Sequence, residues 1–166
     1  NEHKNDGQGM FFKSILERDP QNGAAAEWFE KIPKAFVEDQ EAILQDPEIK
    51  VIVETIGGTG FAREFTKEAL KRGKHVVTAN KDLIATHGAE ICELAQSSKR
   101  HYLFEAAVAG AIPILSLIRE YFQTCDILEF EGILNGTTNY ILSEMENHSL
   151  GFEETLKQAQ DMGFAE

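Results

Sequence analysis

Lys81 sits just past a strand end, where a charged side chain could do chemistry on a bound ligand. It follows the run HVVT at residues 75–78 and then Ala79 and Asn80. A short β-branched run predicts a buried strand, and open parallel sheets bind ligands beyond the carboxyl ends of their strands. An ammonium there can stabilise developing charge on a substrate oxygen or relay a proton. A solvated surface lysine is the plainer alternative. Gly57 and Gly58 end the run VIVE, and such a pair lets backbone approach a cofactor or makes an ordinary strand-to-helix turn. Arg18 and Asp19 follow an earlier apolar run. In a dinucleotide-binding sheet an Asp after the second strand meets the ribose 2′-hydroxyl, and an Arg accommodates a 2′-phosphate. Both types are present, so NAD and NADP stay open, beside the reading of an exposed turn.

Three further places carry weaker signals. Glu105 precedes AAVAGAIP, whose kinked backbone can turn carbonyls toward a hard cation or serve as a packed hinge. Residues 135–138 (NGTT) offer free N–H groups and hydroxyls at a helix start, which suits a small carboxylate or simple capping. Glu166 has no role that physical chemistry alone assigns. His3, His75, His87, His101 and His148 share no spacing, so no zinc site is expected. Cys92 and Cys125 lack metal-ligand spacing and read as two buried thiols of a reducing cytosol.

The elements that position these residues centre on 49–85. Val51, Ile52 and Val53 read as a strand buried on both faces. Phe61, Phe65, Ala69 and Leu70 then share one face of a helix that Gly73 ends, with Lys71, Arg72 and Lys74 at its negative end. Residues 75–78 form the second strand. This is one βαβ unit, so the strands are expected to be parallel and the crossover right-handed. Upstream, 10–17 reads as a strand, 23–31 as a short helix broken by Pro33, and 38–45 as an acidic helix. Downstream, 81–97 reads as a helix interrupted at Gly88, with Ile91, Leu94 and Ala95 on its apolar face. Residues 101–104 read as a strand.

After Glu105 the texture changes, and a domain boundary is placed near 105–110. Residues 114–122 read as an amphipathic helix. Residues 127–134 (ILEFEGIL) alternate as an antiparallel strand with one wet face would. A helix capped by a threonine follows, and then a last helix over 152–162 with Gly163 at its end.

The chain has 166 residues, a net charge of −12, 42% hydrophobic and 27% charged residues. These are globular values, and the acidity argues against a general nucleic-acid surface. No apolar run reaches the ~18 residues of a membrane span. No signal peptide is read at the start, which lacks Met, and the end follows a helical pattern directly; a fragment is expected.

Five stretches in order, VIVETIGG, GKHVVTANKDLIA, FEAAVAGAIPIL, GILNGTTNYIL and AQDMGFAE, resemble homoserine dehydrogenase. The likeness runs from about Met10 to Glu166. It implies an α/β fold: a Rossmann-like parallel sheet with helices on both faces (1–107), joined to the start of a second α/β domain for substrate binding and dimerisation (108–166). It implies NAD- or NADP-dependent interconversion of L-homoserine and L-aspartate 4-semialdehyde, on the route to threonine, methionine and isoleucine, by a cytoplasmic homodimer without nucleic-acid or membrane partners.

By the resemblance, Lys81 matches the catalytic lysine beside the nicotinamide. Glu166 matches the glutamate of the GYAE motif that binds the substrate amine, and Thr137 a substrate-side position. Arg18, Ile56, Gly57 and Thr78 lie along the cofactor. Glu105, Val108, Gly110 and Ile112 match positions that offer oxygens to a monovalent cation, usually sodium. The family's first strand with its glycine-rich loop, and its aspartate and second lysine beyond GYAE, have no counterpart in this chain. Phe164 replaces the tyrosine of GYAE, and Ala111 stands where a second glycine is common. The chain by itself is therefore expected to be inactive. Another Rossmann-type oxidoreductase acting on a small carbonyl or sugar, and a non-catalytic remnant that binds nucleotide or dimerises, are the alternatives.

Overall fold

The centre of the molecule is a three-stranded parallel sheet in the order β3-β4-β5, built from β3 (Val51–Glu54), β4 (His75–Thr78) and β5 (Tyr102–Leu103). The computed structural model describes residues 11–165 apart from 22 and 111. Ile52 pairs with Val76, Val53 with Val77, and Val77 with Leu103. The crossover helices are α3 (Gly60–Lys71) and α4 (Lys81–Ser97).

Phe65, Ala69 and Leu70 of α3 and Leu83, Ile91 and Ala95 of α4 are buried with Ile52, Val76 and Tyr102 in one core. Phe61 is half-exposed and stacks on Phe65 at 5.7 Å. Gly73 follows the C-cap of α3 with a φ of +84°, a conformation that suits glycine. Lys74 is buried and donates to the carbonyls of Asp46 and Ile49, which ties the turn to the entry of β3. Between the helices, Glu90 accepts from Arg63 at 2.8 Å and from Lys67. Hydrogen bonds from Lys67 and then Arg63 hold its carboxyl down at about 2.

Burial of β3 on both faces is corrected. Ile52 faces the core at 7% exposure, whereas Val51 and Val53 are 42% and 60% exposed. Alternate residues of a strand point to opposite faces, and the core helices pack on the Ile52–Val76 side. The interruption at Gly88 is also corrected, because α4 runs unbroken through it. Glycine inside a helix keeps every backbone hydrogen bond and costs only about 0.5–1 kcal/mol, so it weakens a helix without ending it.

Upstream, β1 (Ile15–Leu16) and β2 (Phe36–Val37) make a separate two-stranded parallel sheet. Between them lie a 3₁₀ turn at Gly23–Ala25, α1 (Ala26–Lys31) and a second 3₁₀ turn at Pro33–Ala35. The strand expected over 10–17 is thus two residues long, and Met10 lies outside the described residues. α2 (Gln40–Leu44) is capped by Asp39, whose carboxylate accepts from the Glu41 N–H at 2.9 Å. Leu16 and Val37 pack against the central core.

Downstream come a 3₁₀ turn at Glu105–Ala107 and then α5 (Ile114–Tyr121), α6 (Gly136–His148) and α7 (Phe152–Asp161). The antiparallel strand expected over 127–134 does not form. A strand is held by hydrogen bonds to a neighbour, and none of the described strands lies beside this segment. The cap of α6 is Asn135 in place of a threonine, its Oδ1 accepting from the Thr138 N–H at 2.9 Å. Cys92 and Cys125 are exposed and free, not buried. No helix among the described residues is long and apolar enough to cross a membrane.

Candidate active site

The carboxyl ends of β3 and β4 carry a buried polar network. Glu54 closes β3 and is 1% exposed. Its Oε2 accepts from the Thr78 hydroxyl at 2.5 Å, and its Oε1 accepts from the Ile56 N–H at 2.7 Å and, more weakly, from Asn80 Nδ2 at 3.5 Å. The Thr78 oxygen in turn accepts from the Asn80 N–H at 3.0 Å. Asn80 Nδ2 donates to the Gly58 carbonyl at 2.8 Å, and its Oδ1 accepts from the Leu83 N–H at 3.0 Å, which caps α4. Two loops that are far apart in sequence are thus joined just before Lys81.

Lys81 is the first residue of α4 and is exposed. A cation at a helix N-terminus works against the macrodipole by roughly 0.3–1 kcal/mol. Local stability gives no reason for a lysine there. It is also left out of the ion pairs that engage Arg63, Lys67 and Arg72 among the described residues. It opens instead onto a cleft of about 620 Å³.

The facing wall is the start of α6, with Asn135, Gly136, Thr137, Asn139, Tyr140 and Ser143; Ala106, Ala109, Gly110, Gly163 and Phe164 are among the other residues that line the cleft. The Thr137 hydroxyl donates to the Phe164 carbonyl, and the Tyr140 ring meets the Phe164 ring edge-on at 5.2 Å. These contacts bind the start of α6 to the turn after α7. The cleft therefore pairs one cation with hydroxyls, an amide and a helix N-terminus, which suits a small polar substrate with a carboxylate.

Of the residues expected from sequence, Lys81, Thr137 and Gly110 come together in this cleft. Thr78 is buried, its hydroxyl donates to Glu54, and it presents almost no surface to a ligand. Ile56 is half-exposed beside Gly57 and Gly58, whose φ values are +79° and +62°. A Cβ built on either glycine meets nothing within 4 Å, so this turn is open to a ligand. Glu105 turns its carboxylate onto the start of α5, accepting from the Leu115 N–H at 2.8 Å and from the Ser116 N–H and hydroxyl at 3.0 and 2.7 Å. These bonds, the Ser116 hydroxyl first, hold its carboxyl below the usual range. Val108 and exposed Ile112 flank the turn where Ala109 and Gly110 take positive φ values. Among the described residues no cluster of His, Cys, Asp or Glu suits a metal ion.

Arg18 does not reach this cleft. It follows β1, where its backbone N–H donates to Glu17 Oε1 at 2.8 Å. A smaller cavity lies nearby, lined by Glu17, Asp19, Phe29, Phe36 and Glu38. Glu166 lies outside the described residues, two positions after Phe164. Sequence reasoning missed Glu54, although a carboxylate in phase with Ile52 at the end of a strand was the available signal. It also missed Asn139, Tyr140 and Ser143, which share the cleft wall one helical turn or so beyond the NGTT stretch.

Comparison with known proteins gives a consistent picture. Residues 9–105 match the family model for the NAD binding domain of homoserine dehydrogenase, and residues 113–166 match the model for homoserine dehydrogenase. A homoserine dehydrogenase from Neisseria gonorrhoeae is 46% identical over 132 residues, which cover 80% of this chain and 30% of the relative. One from Bacillus subtilis is 45% identical over 75% of this chain and 29% of its own length. The crystal structure of a homoserine dehydrogenase from Thiobacillus denitrificans superposes with a TM-score of 0.73 at 42% identity, covering 88% of this chain and 34% of that one. The chain thus spans about 30% of the length of the curated relatives it matches.

Proposed function

The chain belongs to the homoserine dehydrogenase family, and from that premise we propose that the protein it represents interconverts L-homoserine and L-aspartate 4-semialdehyde with NAD or NADP. The observation that carries this reading is the cleft in which Lys81 faces Thr137 and the N-terminus of α6. The two sides come from the two segments that match separate family models. Those matches also support a boundary between residues 1–107, for cofactor, and 108–166, for substrate and dimer contacts. A cytoplasmic homodimer active in amino-acid biosynthesis is part of the proposal.

NAD(P), when bound, supplies the acceptor for the hydride leaving the carbinol carbon of homoserine. The open turn of Ile56, Gly57 and Gly58 fits the approach of such a cofactor; Thr78 is assigned to the same edge, and Arg18 to the adenosine end. In the oxidation direction Lys81 takes the hydroxyl proton as the carbonyl forms. In the reduction direction its ammonium donates to the carbonyl oxygen and returns that proton to the alkoxide. Thr137 keeps an acceptor oxygen for the substrate amine while its proton holds Phe164, and Glu166 is assigned to the same amine.

The backbone oxygens of Val108, Gly110 and Ile112 are assigned to a monovalent cation. Glu105 contributes mainly its charge, since its lone pairs already serve α5.

The test is turnover in the full-length protein. Lys81→Ala is expected to lower homoserine oxidation by about 10²–10⁴-fold. A change below about threefold would remove Lys81 from the chemistry, and oxidation of a sugar in place of homoserine would overturn the substrate.

A further inference from the structure

Glu54 has no place in that chemistry, yet its setting is unusual. Its partners, Thr78, Ile56 and Asn80, all donate hydrogen bonds and none is a cation. Ile52, two residues earlier on the same face, meets the core with an ordinary aliphatic side chain. Buried carboxylates are costly and are often replaceable by apolar groups without loss of stability. Stability alone therefore does not call for one here.

What the carboxylate does is join two turns. Through Ile56 it holds the turn that carries Gly57 and Gly58. Through Thr78 it holds the hydroxyl that receives the Asn80 N–H. Asn80 then caps α4 and ties back to Gly58. Every link ends within three residues of Lys81 or of the open glycine turn. A glutamine in place of Glu54 is close in shape, but its NH₂ would face a donor on one side or the other.

We propose that Glu54 is a positioning residue that sets the Lys81 ammonium against the glycine turn after β3, acting through Thr78 and Asn80. This rests on the reading of Lys81 given above. Misplacement of a reacting group by about 1 Å can cost about 10²-fold in rate. A loosened network should therefore lower kcat and leave the binding constants nearly unchanged.

The experiment uses the full-length enzyme. Glu54→Gln is expected to lower kcat by about 10–100-fold, with KM for homoserine and cofactor within about threefold. Thr78→Val should act in the same direction, and the double variant should be no worse than Glu54→Gln, because the two changes break one network. Thr66→Val removes a buried hydroxyl that has no hydrogen-bond partner and lies inside α3, away from the network. It serves as the control for a general disturbance and should keep kcat within about twofold.

A Glu54→Gln enzyme with kcat per cofactor-binding site within about threefold of wild type overturns the proposal. If that variant does not fold, Thr78→Val decides by the same threshold. Should the wild type oxidise no homoserine, the substrate reading falls by itself. Positioning is then read from amide hydrogen exchange at Asn80 and Leu83, where at least a roughly tenfold acceleration in Glu54→Gln is expected and an unchanged rate overturns it.

Discussion

Ile52 and Leu128 both sit in runs that read as strands, yet Ile52 is 7% exposed and Leu128 is 95% exposed. Ile52 belongs to a βαβ unit. Its strand finds a partner 24 residues later, after a helix that covers both strands as it returns. Its paired strand and the helix that joins them lie within one short stretch of chain. Leu128 belongs to an alternating segment that needs an antiparallel neighbour, and among the described strands none is beside it. With no ladder to join, Ile127, Phe130 and Ile133 stay about half-exposed as well. The same hydrophobicity thus forms a core where the chain closes its own hydrogen bonds, and remains surface where it does not. Lys81 stands on the first kind of framework, and the cleft wall opposite it on helices of the second region.

Three measurements would break or sharpen this contrast. The largest effect is expected at Leu70, which is fully buried in the core of the βαβ unit. Leu70→Ala should destabilise the chain by about 2–5 kcal/mol in urea unfolding. A loss under about 1 kcal/mol would mean that the unit lacks a close-packed core.

A smaller effect is expected from acid. The Glu90 carboxyl is held at about 2 against an ordinary 4.5. Its native form binds fewer protons than its unfolded form in that window. Its contribution is therefore complete above the ordinary value and fades as pH falls from 4.5 toward about 2. The urea midpoint should fall more steeply with acid in wild type than in Glu90→Gln, and parallel curves would dismiss the clamp between α3 and α4.

The smallest effect is expected at Leu128. Leu128→Ser should change stability by less than about 0.5 kcal/mol. A loss above about 1 kcal/mol would show that the segment is packed in solution.

Much of the βαβ unit was legible because its signals are local. Phe65, Ala69 and Leu70 follow helical spacing, and Gly73 ends α3 where a positive φ is needed. Lys81 was legible as a residue just beyond a strand end, and its cleft partner Thr137 through the family resemblance. Gly88 reads as a break because glycine is a weak helix former, yet a single glycine inside α4 does not end it. The cap of α6 misled because asparagine and threonine stand next to each other, and only the backbone geometry gives Asn135 the extended conformation of a cap. The bonding of Glu105 to Ser116 was illegible because it depends on how the chain folds back across the turn at 105–112.

By itself, the sequence determined the parallel βαβ unit, the helix faces and the place of Lys81 at the ligand edge, since each depends on residues a few positions apart. Tertiary structure alone decided which face of β3 is covered, whether 127–134 finds a partner, and the closing of Glu54, Thr78 and Asn80 into one network ahead of Lys81. Those outcomes rest on groups that are distant in the chain, and a hydrogen bond or a buried surface exists only once both of its sides have been brought together.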